Sequence, residues 1–157
     1  FLSYAPEGEY QLLGHPWRLD ATNRHAQWVK LYQLLVHNYS AWPQAELDME
    51  QQTPFASLPI SAAMRTERFT PMSPAQLSDL QRRGHGIASH GWAHLPLRSM
   101  PDDVLAKELG QTREAARAYC NSTVFAYPYG GLHEVDPRVA LACQSAGFSA
   151  AYMNLQA

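Results

Sequence analysis

The spacing of apolar residues changes from block to block along the chain. Between residues 20 and 37 apolar side chains recur at helical spacing, which predicts an amphipathic helix with Asp20 or Thr22 as its cap. Residues 1–4 are predicted to be a short strand followed by a loop. The polar stretch 38–58, which is interrupted by Pro43 and Pro54, predicts another loop that could hold one short helix.

From residue 58 onwards predicted strands alternate with predicted helices. The strands are expected at residues 58–64, 85–89, 123–127 and 148–153. The helices are expected at residues 74–83, 101–119 and 137–146, and the first and last begin with a capping residue followed by proline and end before a glycine.

This alternation predicts an α/β fold with a parallel sheet built from right-handed crossovers. About four strands are too few for a closed eight-stranded barrel of ~250 residues, so an incomplete barrel is expected. Functional residues in such folds lie in the loops after the carboxyl ends of the strands. The chain begins with Phe1 and ends after a strand-like run, so we expect it to be a fragment cut at both ends.

Composition narrows the classes of function. The net charge is −2 and the basic residues are scattered, so no nucleic-acid partner is expected. No apolar run approaches the ~20 residues of a membrane helix. Cys120 and Cys143 form no metal or disulfide pattern and are expected to be buried side chains within helices.

The first candidate for chemistry is the segment 89–97, which follows the predicted strand 85–89. It contains His90 and His94, and two histidines four residues apart can bind one metal ion. Gly91 and Pro96 argue against a regular helix here, so a tight turn at the strand end is predicted. The chain has 7 histidines, so the spacing alone could arise by chance.

The second candidate is the segment 125–131, which follows the predicted strand 123–127 and ends in two glycines. Such a turn can point backbone N–H groups into a cleft, as an oxyanion site requires. An ordinary turn between a strand and a loop would have the same sequence features.

Together the two segments resemble a known family. The sequence GHGIASHGWAH, residues 84–94, is similar to the G-H-x-I-x-S-H-x-x-x-H segment of polysaccharide deacetylases. These are the NodB-homology enzymes, also called carbohydrate esterase family 4. Residues 125–130 resemble the next motif of that family, which ends in P-Y-G. The order of the motifs and the predicted helix between them also agree, and the resemblance covers residues 58–153 within a single domain of residues 1–157.

The resemblance implies a partial, irregular (β/α) barrel and removal of N- or O-linked acetyl groups from a polysaccharide. It implies a divalent metal held by one Asp and two His, here His90 and His94, with Zn²⁺ expected first and Co²⁺, Ni²⁺ or Mn²⁺ as alternatives. Tyr129 matches the residue whose backbone amide contacts the charged tetrahedral intermediate.

The implied partner is an acetylated polysaccharide or oligosaccharide. The resemblance also implies that the protein acts outside the cytoplasm, where the substrates of the family are usually found. The residues expected along the substrate lie in or beside the two motifs. They are Trp92, Tyr127, Pro128 and Gly130. Trp92 and Tyr127 could stack on sugar faces, or could equally be packing residues.

The chain departs from the family pattern in its acids and bases. Ala5 and Pro6 stand where an Asp-Asp pair is expected, and Asp20 is only a weak substitute. The pair Asp102 and Asp103 is better explained by favourable charge at a helix start. The P-Y-G motif lacks the usual Arg, and His133 does not match the late motif that carries the catalytic acid.

Three functions therefore remain open. The first is an active metal-dependent deacetylase, for which the histidine pair argues. The second is a catalytically impaired relative that binds glycan, for which the missing acids argue. The third is a hydrolase of the same fold acting on non-sugar C–N bonds.

Overall fold

The computed structural model describes residues 2–155, except for the side chains of residues 68 and 69. The chain divides into two compact units, Phe1–Pro71 and Met72–Ala157. Among residues 2–155, the first unit contains an antiparallel hairpin and three α-helices, and the second contains three α-helices and a small parallel sheet. In the described part of the chain, none of the helices has the length and apolar character needed to cross a bilayer.

The hairpin of the first unit was not predicted. Strands β1, Gly8–Leu12, and β2, His15–Leu19, pair in antiparallel fashion around a turn at Leu13 and Gly14, both of which have positive φ. Alternate side chains on both strands face inward. The turn chemistry was missed because leucine rarely adopts the left-handed conformation that a two-residue hairpin turn requires.

Helices complete the core of the first unit. They are α1, Arg24–Val36, α2, Ala41–Gln52, and α3, Ala62–Phe69. Trp17 is 2% exposed at the centre of this core, and its indole N–H donates a hydrogen bond of 3.1 Å to the Leu12 carbonyl. Leu31 and Leu35 of α1 pack into the same cluster. The buried indole therefore has both apolar neighbours and a partner for its one polar group.

Several predictions for the first unit need correction. Residues 58–64 are not a strand, because Ser61 caps helix α3 by accepting a hydrogen bond from the Met64 amide. Residues 2–4 lie in a turn rather than a strand, and Phe1 is outside the described residues. Helix α1 agrees with the predicted helix 20–37, but Asn23 is its N-cap residue. The loop 38–58 contains the 12-residue helix α2 and a short 3₁₀ turn.

The second unit follows the predicted order of elements closely. Its elements are α4, Pro74–Arg82, α5, Asp102–Tyr119, β3, Val124–Ala126, α6, Pro137–Ser145, and β4, Ala150–Tyr152. Ser73 and Asp136 cap α4 and α6 through their side chains, as predicted. The predicted strand 85–89 is reduced to a single bridge, in which Ser89 pairs with Phe125 in parallel.

The sheet of the second unit is parallel, as expected. β3 pairs with β4, and Ser89 lies on the opposite side of β3. Helix α5 connects Ser89 to β3, and helix α6 connects β3 to β4. The α/β class is therefore confirmed, and no closed barrel forms among residues 2–155.

Phe125 is the centre of packing in the second unit. Its side chain is fully buried, with ring centroids 4.9 Å from Phe148 and 5.5 Å from Tyr127. Val139 and Cys143 of helix α6 are also buried. Strand β3, with which the second motif begins, is thus held against the interior by the Phe125 side chain.

We expect Phe125→Ala to lower the free energy of unfolding by about 3–5 kcal/mol, because it deletes a fully buried ring and leaves a cavity. Urea denaturation followed by circular dichroism measures this change. Leu141→Ala, on the exposed side of helix α6, is the control and should change stability by no more than about 0.5 kcal/mol. Similar effects of the two substitutions would contradict the described packing.

Candidate functional site

The two histidines lie at the carboxyl end of the sheet. His90 follows Ser89, the residue that bridges to β3, and the chain then turns through Gly91, which has a φ of +91°. His94 also has positive φ, at 52°. No regular helix forms across residues 90–96, in agreement with the predicted tight turn.

The imidazole rings of His90 and His94 point toward each other. Their Nε2 atoms are 3.1 Å apart and their ring planes are inclined at 71°. Two nitrogens bound to one tetrahedral zinc ion, each at about 2.0–2.1 Å, would lie roughly 3.3–3.4 Å apart. The observed separation is close to this value, so the pair fits two positions of one metal ion.

The backbone of β3 orients the first of these rings. His90 Nδ1 is 2.9 Å from the carbonyl oxygen of Ala126. Because a carbonyl oxygen only accepts, Nδ1 carries the proton and Nε2 keeps a lone pair directed toward His94. A backbone carbonyl of this kind commonly orients a metal-binding histidine.

The environment of His94 favours its neutral form. Partial desolvation, followed by the proximity of His90, lowers the pKa of His94 from its ordinary value. A metal ion binds the neutral imidazole, so a lowered pKa removes part of the competition from protons.

The P-Y-G turn packs beside the second histidine. The ring of Tyr129 lies 5.1 Å from the ring of His94, edge to face. Tyr129 and Gly130 both have left-handed φ values, 65° and 62°. The Gly130 carbonyl accepts a hydrogen bond of 2.8 Å from the Asn154 amide beyond β4. The two sequence motifs are therefore in contact at one edge of the sheet.

The four residues predicted to contact substrate differ in exposure. Trp92 is 60% exposed, whereas Tyr127 is 7% exposed and Pro128 and Gly130 are buried. Burial, and after it the neighbouring Cys143 thiol, raises the pKa of Tyr127 to about 12. Trp92 is therefore the one ring of this set that is open to solvent.

Two of the remaining candidate acids have local partners. Asp20, in the first unit, accepts hydrogen bonds from the side chain and amide of Thr22, which lower its pKa. Asp102 pairs with Arg138 at 2.7 Å. His133 is exposed. Among residues 2–155, no group of three His, Cys, Asp or Glu side chains is arranged to hold a metal ion.

Sequence reasoning did not identify one polar residue of this site. Glu108 of helix α5 is 6% exposed, and its Oε1 accepts hydrogen bonds from the backbone amides of Trp92, at 2.8 Å, and Ala93, at 2.9 Å. A signal was available, because Glu108 stands in the buried stripe of α5 between Leu105 and Thr112. A glutamate at such a position requires a hydrogen-bonding partner.

Comparison with known proteins places these motifs in a family. The model of the family described as polysaccharide deacetylase matches residues 44–151, which include both the histidine segment and the P-Y-G turn. The chain belongs to the polysaccharide deacetylase family. No curated protein and no solved structure matches it. The resemblance found in the two sequence motifs is thereby confirmed.

Polysaccharide deacetylases act on acetylated polysaccharides and are generally metal-dependent. In this member of the family the Nε2 atoms of His90 and His94 are 3.1 Å apart, a separation that two ligands of one metal ion could have. A carboxylate ligand does not accompany them in the described part of the chain. The two imidazoles therefore suit a metal ion, and the described residues do not supply the carboxylate ligand.

We expect Gly130→Ala to destabilise the P-Y-G turn by about 1–3 kcal/mol. The residue has left-handed φ, and an added Cβ would lie 2.9 Å from the Asn154 amide nitrogen and 3.1 Å from the Tyr127 carbonyl oxygen. Chemical denaturation measures the loss. Gly86→Ala, where a Cβ meets no atom within 4 Å, is the matched control and should leave stability unchanged or slightly raised.

Proposed function

We propose that this chain is a metal-dependent hydrolase that removes N- or O-linked acetyl groups from a polysaccharide, within a domain of residues 1–157 that forms a partial, irregular (β/α) barrel. The observation that carries the proposal is the 3.1 Å approach of the His90 and His94 Nε2 atoms beside the P-Y-G turn. Family membership supplies the substrate class, acetylated polysaccharide.

His90 and His94 would hold the metal through their Nε2 atoms. The Ala126 carbonyl keeps the proton of His90 on Nδ1, which leaves Nε2 available. Two imidazoles suit Zn²⁺, and Co²⁺, Ni²⁺ or Mn²⁺ are the alternatives. When bound, such an ion polarises the acetyl carbonyl and lowers the pKa of a water molecule.

The turn beside His94 would receive the acetyl oxygen. The backbone amide of Tyr129 is proposed to donate a hydrogen bond to the negative charge that develops there. The packing of the Tyr129 ring against His94 supports this placement, because it puts residue 129 beside the histidine pair.

The residues around this turn would bind the sugar. Trp92 is proposed to stack on a sugar face, since its ring is exposed. Pro128 and Gly130 would form the wall beneath the acetyl group. Tyr127 would support that wall from the interior, where its ring packs against Phe125.

A second candidate function is a catalytically impaired domain that binds glycan. The observation in its favour is that residues 2–155 bring no carboxylate to the histidine pair in a metal-binding arrangement. Metal analysis and acetate release separate the two functions, because the impaired domain would retain glycan without releasing acetate.

We expect the purified chain to contain about one equivalent of divalent metal and the His90→Ala/His94→Ala variant to contain none, because the variant removes both imidazole ligands. Elemental analysis measures the metal. Acetate release from chitin oligosaccharides, acetylxylan and peptidoglycan should fall to background in the same variant.

His133→Ala is the control, since this histidine is exposed in the same unit and lies outside the pair. It should keep both metal and activity. Wild-type chain that remains free of metal after reloading and dialysis would contradict the proposal. Metal binding and glycan retention without acetate release would favour the impaired domain.

We expect Trp92→Ala to raise KM for the polymer about two- to tenfold with little change in thermal stability, because the exposed ring contributes binding rather than packing. Steady-state kinetics and a thermal melt measure the two effects. Trp28→Ala, which removes an exposed tryptophan of the first unit, is the control. An unchanged KM in Trp92→Ala would remove this residue from the substrate site.

A further inference from the structure

Glu108 is an acidic side chain on the buried face of helix α5. It is 6% exposed, and the neighbouring inward-facing residues are Leu105, Leu109 and Thr112. Burying a carboxylate among such neighbours is costly unless hydrogen bonds replace its lost hydration. The burial of Glu108 must therefore be accounted for by the groups to which it is hydrogen-bonded.

Its partners are the backbone amides between the two histidines. Oε1 accepts from Trp92 N at 2.8 Å and from Ala93 N at 2.9 Å. Hydrogen bonds from N–H groups to a carboxylate are shorter and stronger than those to a neutral acceptor. One carboxylate oxygen thus holds two consecutive amides of the turn that separates His90 from His94.

The same turn is confined from the other side. A Cβ placed on Gly91 would lie 3.5 Å from Glu108 Oε1 and 3.0 Å from Cγ of Pro128 in the P-Y-G turn. The histidine turn therefore lies closely between helix α5 and the second motif. Its path is set by Glu108 on one side and by Pro128 on the other.

We propose that Glu108 is a positioning residue for the histidine pair: by anchoring the Trp92 and Ala93 amides, it fixes the turn that brings the His90 and His94 Nε2 atoms together. The inference rests on the proposed function, because it assigns those nitrogens to a metal ion. The hydrogen bonds of Glu108 go to the backbone between the rings, while His90 is oriented by Ala126. Glu108 would therefore influence a bound metal ion indirectly, by fixing the position of the turn that carries the two histidines.

This role differs from simple stabilisation of the fold. A residue that only stabilises the unit would lower the melting temperature when removed, and the folded variant would still bind metal with full affinity. A positioning residue alters the affinity and the coordination geometry of the folded variant. Mutation of residues that orient metal ligands typically reduces metal affinity about 10–100-fold.

The test uses the full chain with Glu108→Ala, Glu108→Gln and the control Glu114→Gln, whose side chain is 75% exposed on the same helix and pairs with Arg117. Zn²⁺ affinity is measured by competition with a chromophoric chelator, and Co²⁺ geometry by visible absorption. We expect about 10–100-fold weaker Zn²⁺ binding and an altered Co²⁺ spectrum for Glu108→Ala. Glu108→Gln should lose less, since its amide oxygen still accepts, and Glu114→Gln should match wild type.

Amide hydrogen exchange on the metal-free protein gives a second readout. The amides of Trp92 and Ala93 should exchange faster in both Glu108 variants than in wild type, while the amides of β3 keep their protection. The increase should be smaller in Glu108→Gln, whose neutral amide oxygen accepts weaker hydrogen bonds than a carboxylate, and it still tests the anchor if Glu108→Ala does not fold.

Wild-type Zn²⁺ affinity and an unchanged Co²⁺ spectrum in folded Glu108→Ala would overturn this inference and leave the proposed function intact. Unchanged exchange at Trp92 and Ala93 would overturn it as well. A wild-type chain that binds neither Zn²⁺ nor Co²⁺ would instead overturn the proposed function, and the exchange rates would still report whether Glu108 anchors the turn.

Discussion

The parallel pairing of Ser89 with β3 is the interaction on which the candidate site depends. The Ser89 amide donates to the Val124 carbonyl, and the Ala126 amide donates to the Ser89 carbonyl. The carbonyl of Ala126 is then used by the His90 ring. The N–H group of Ala126 thus joins the sheet, and the C=O group of the same residue orients the His90 ring. A shift of this pairing by one residue would take the acceptor away from His90.

Local sequence signals predicted the second unit well and the first unit poorly. Ser73 and Asp136 cap their helices as expected, because capping depends on residues a few positions apart. The apolar run from Leu58 to Met64 predicts a strand. It instead leads into a helix, and Arg65 of that helix donates to the carbonyl groups of Phe55, Ala56 and Leu58. Contacts of this kind leave no periodic pattern in the sequence.

At the candidate site as well, the sequence predicted some features and could not predict others. The sequence identified His90, His94 and the P-Y-G turn because their spacing and order resemble a family, and the structure brings the two segments into contact. Spacing could not give the direction of the rings, which depends on the Ala126 carbonyl 36 residues away in sequence. The buried stripe of α5 indicates that Glu108 needs a partner, but the sequence could not identify that partner, because backbone amides occur in every sequence.

His94 and Tyr129 are non-glycine residues in the left-handed region, and their rings touch. Such conformations typically cost of order 1–3 kcal/mol each, although histidine tolerates them better than most residues. Glycine would relieve the strain at either position. At 94 it would delete an imidazole, and at 129 it would keep the amide but remove the ring that packs on that imidazole. Laboratory evolution for heat tolerance alone would therefore favour substitutions here that dismantle the site.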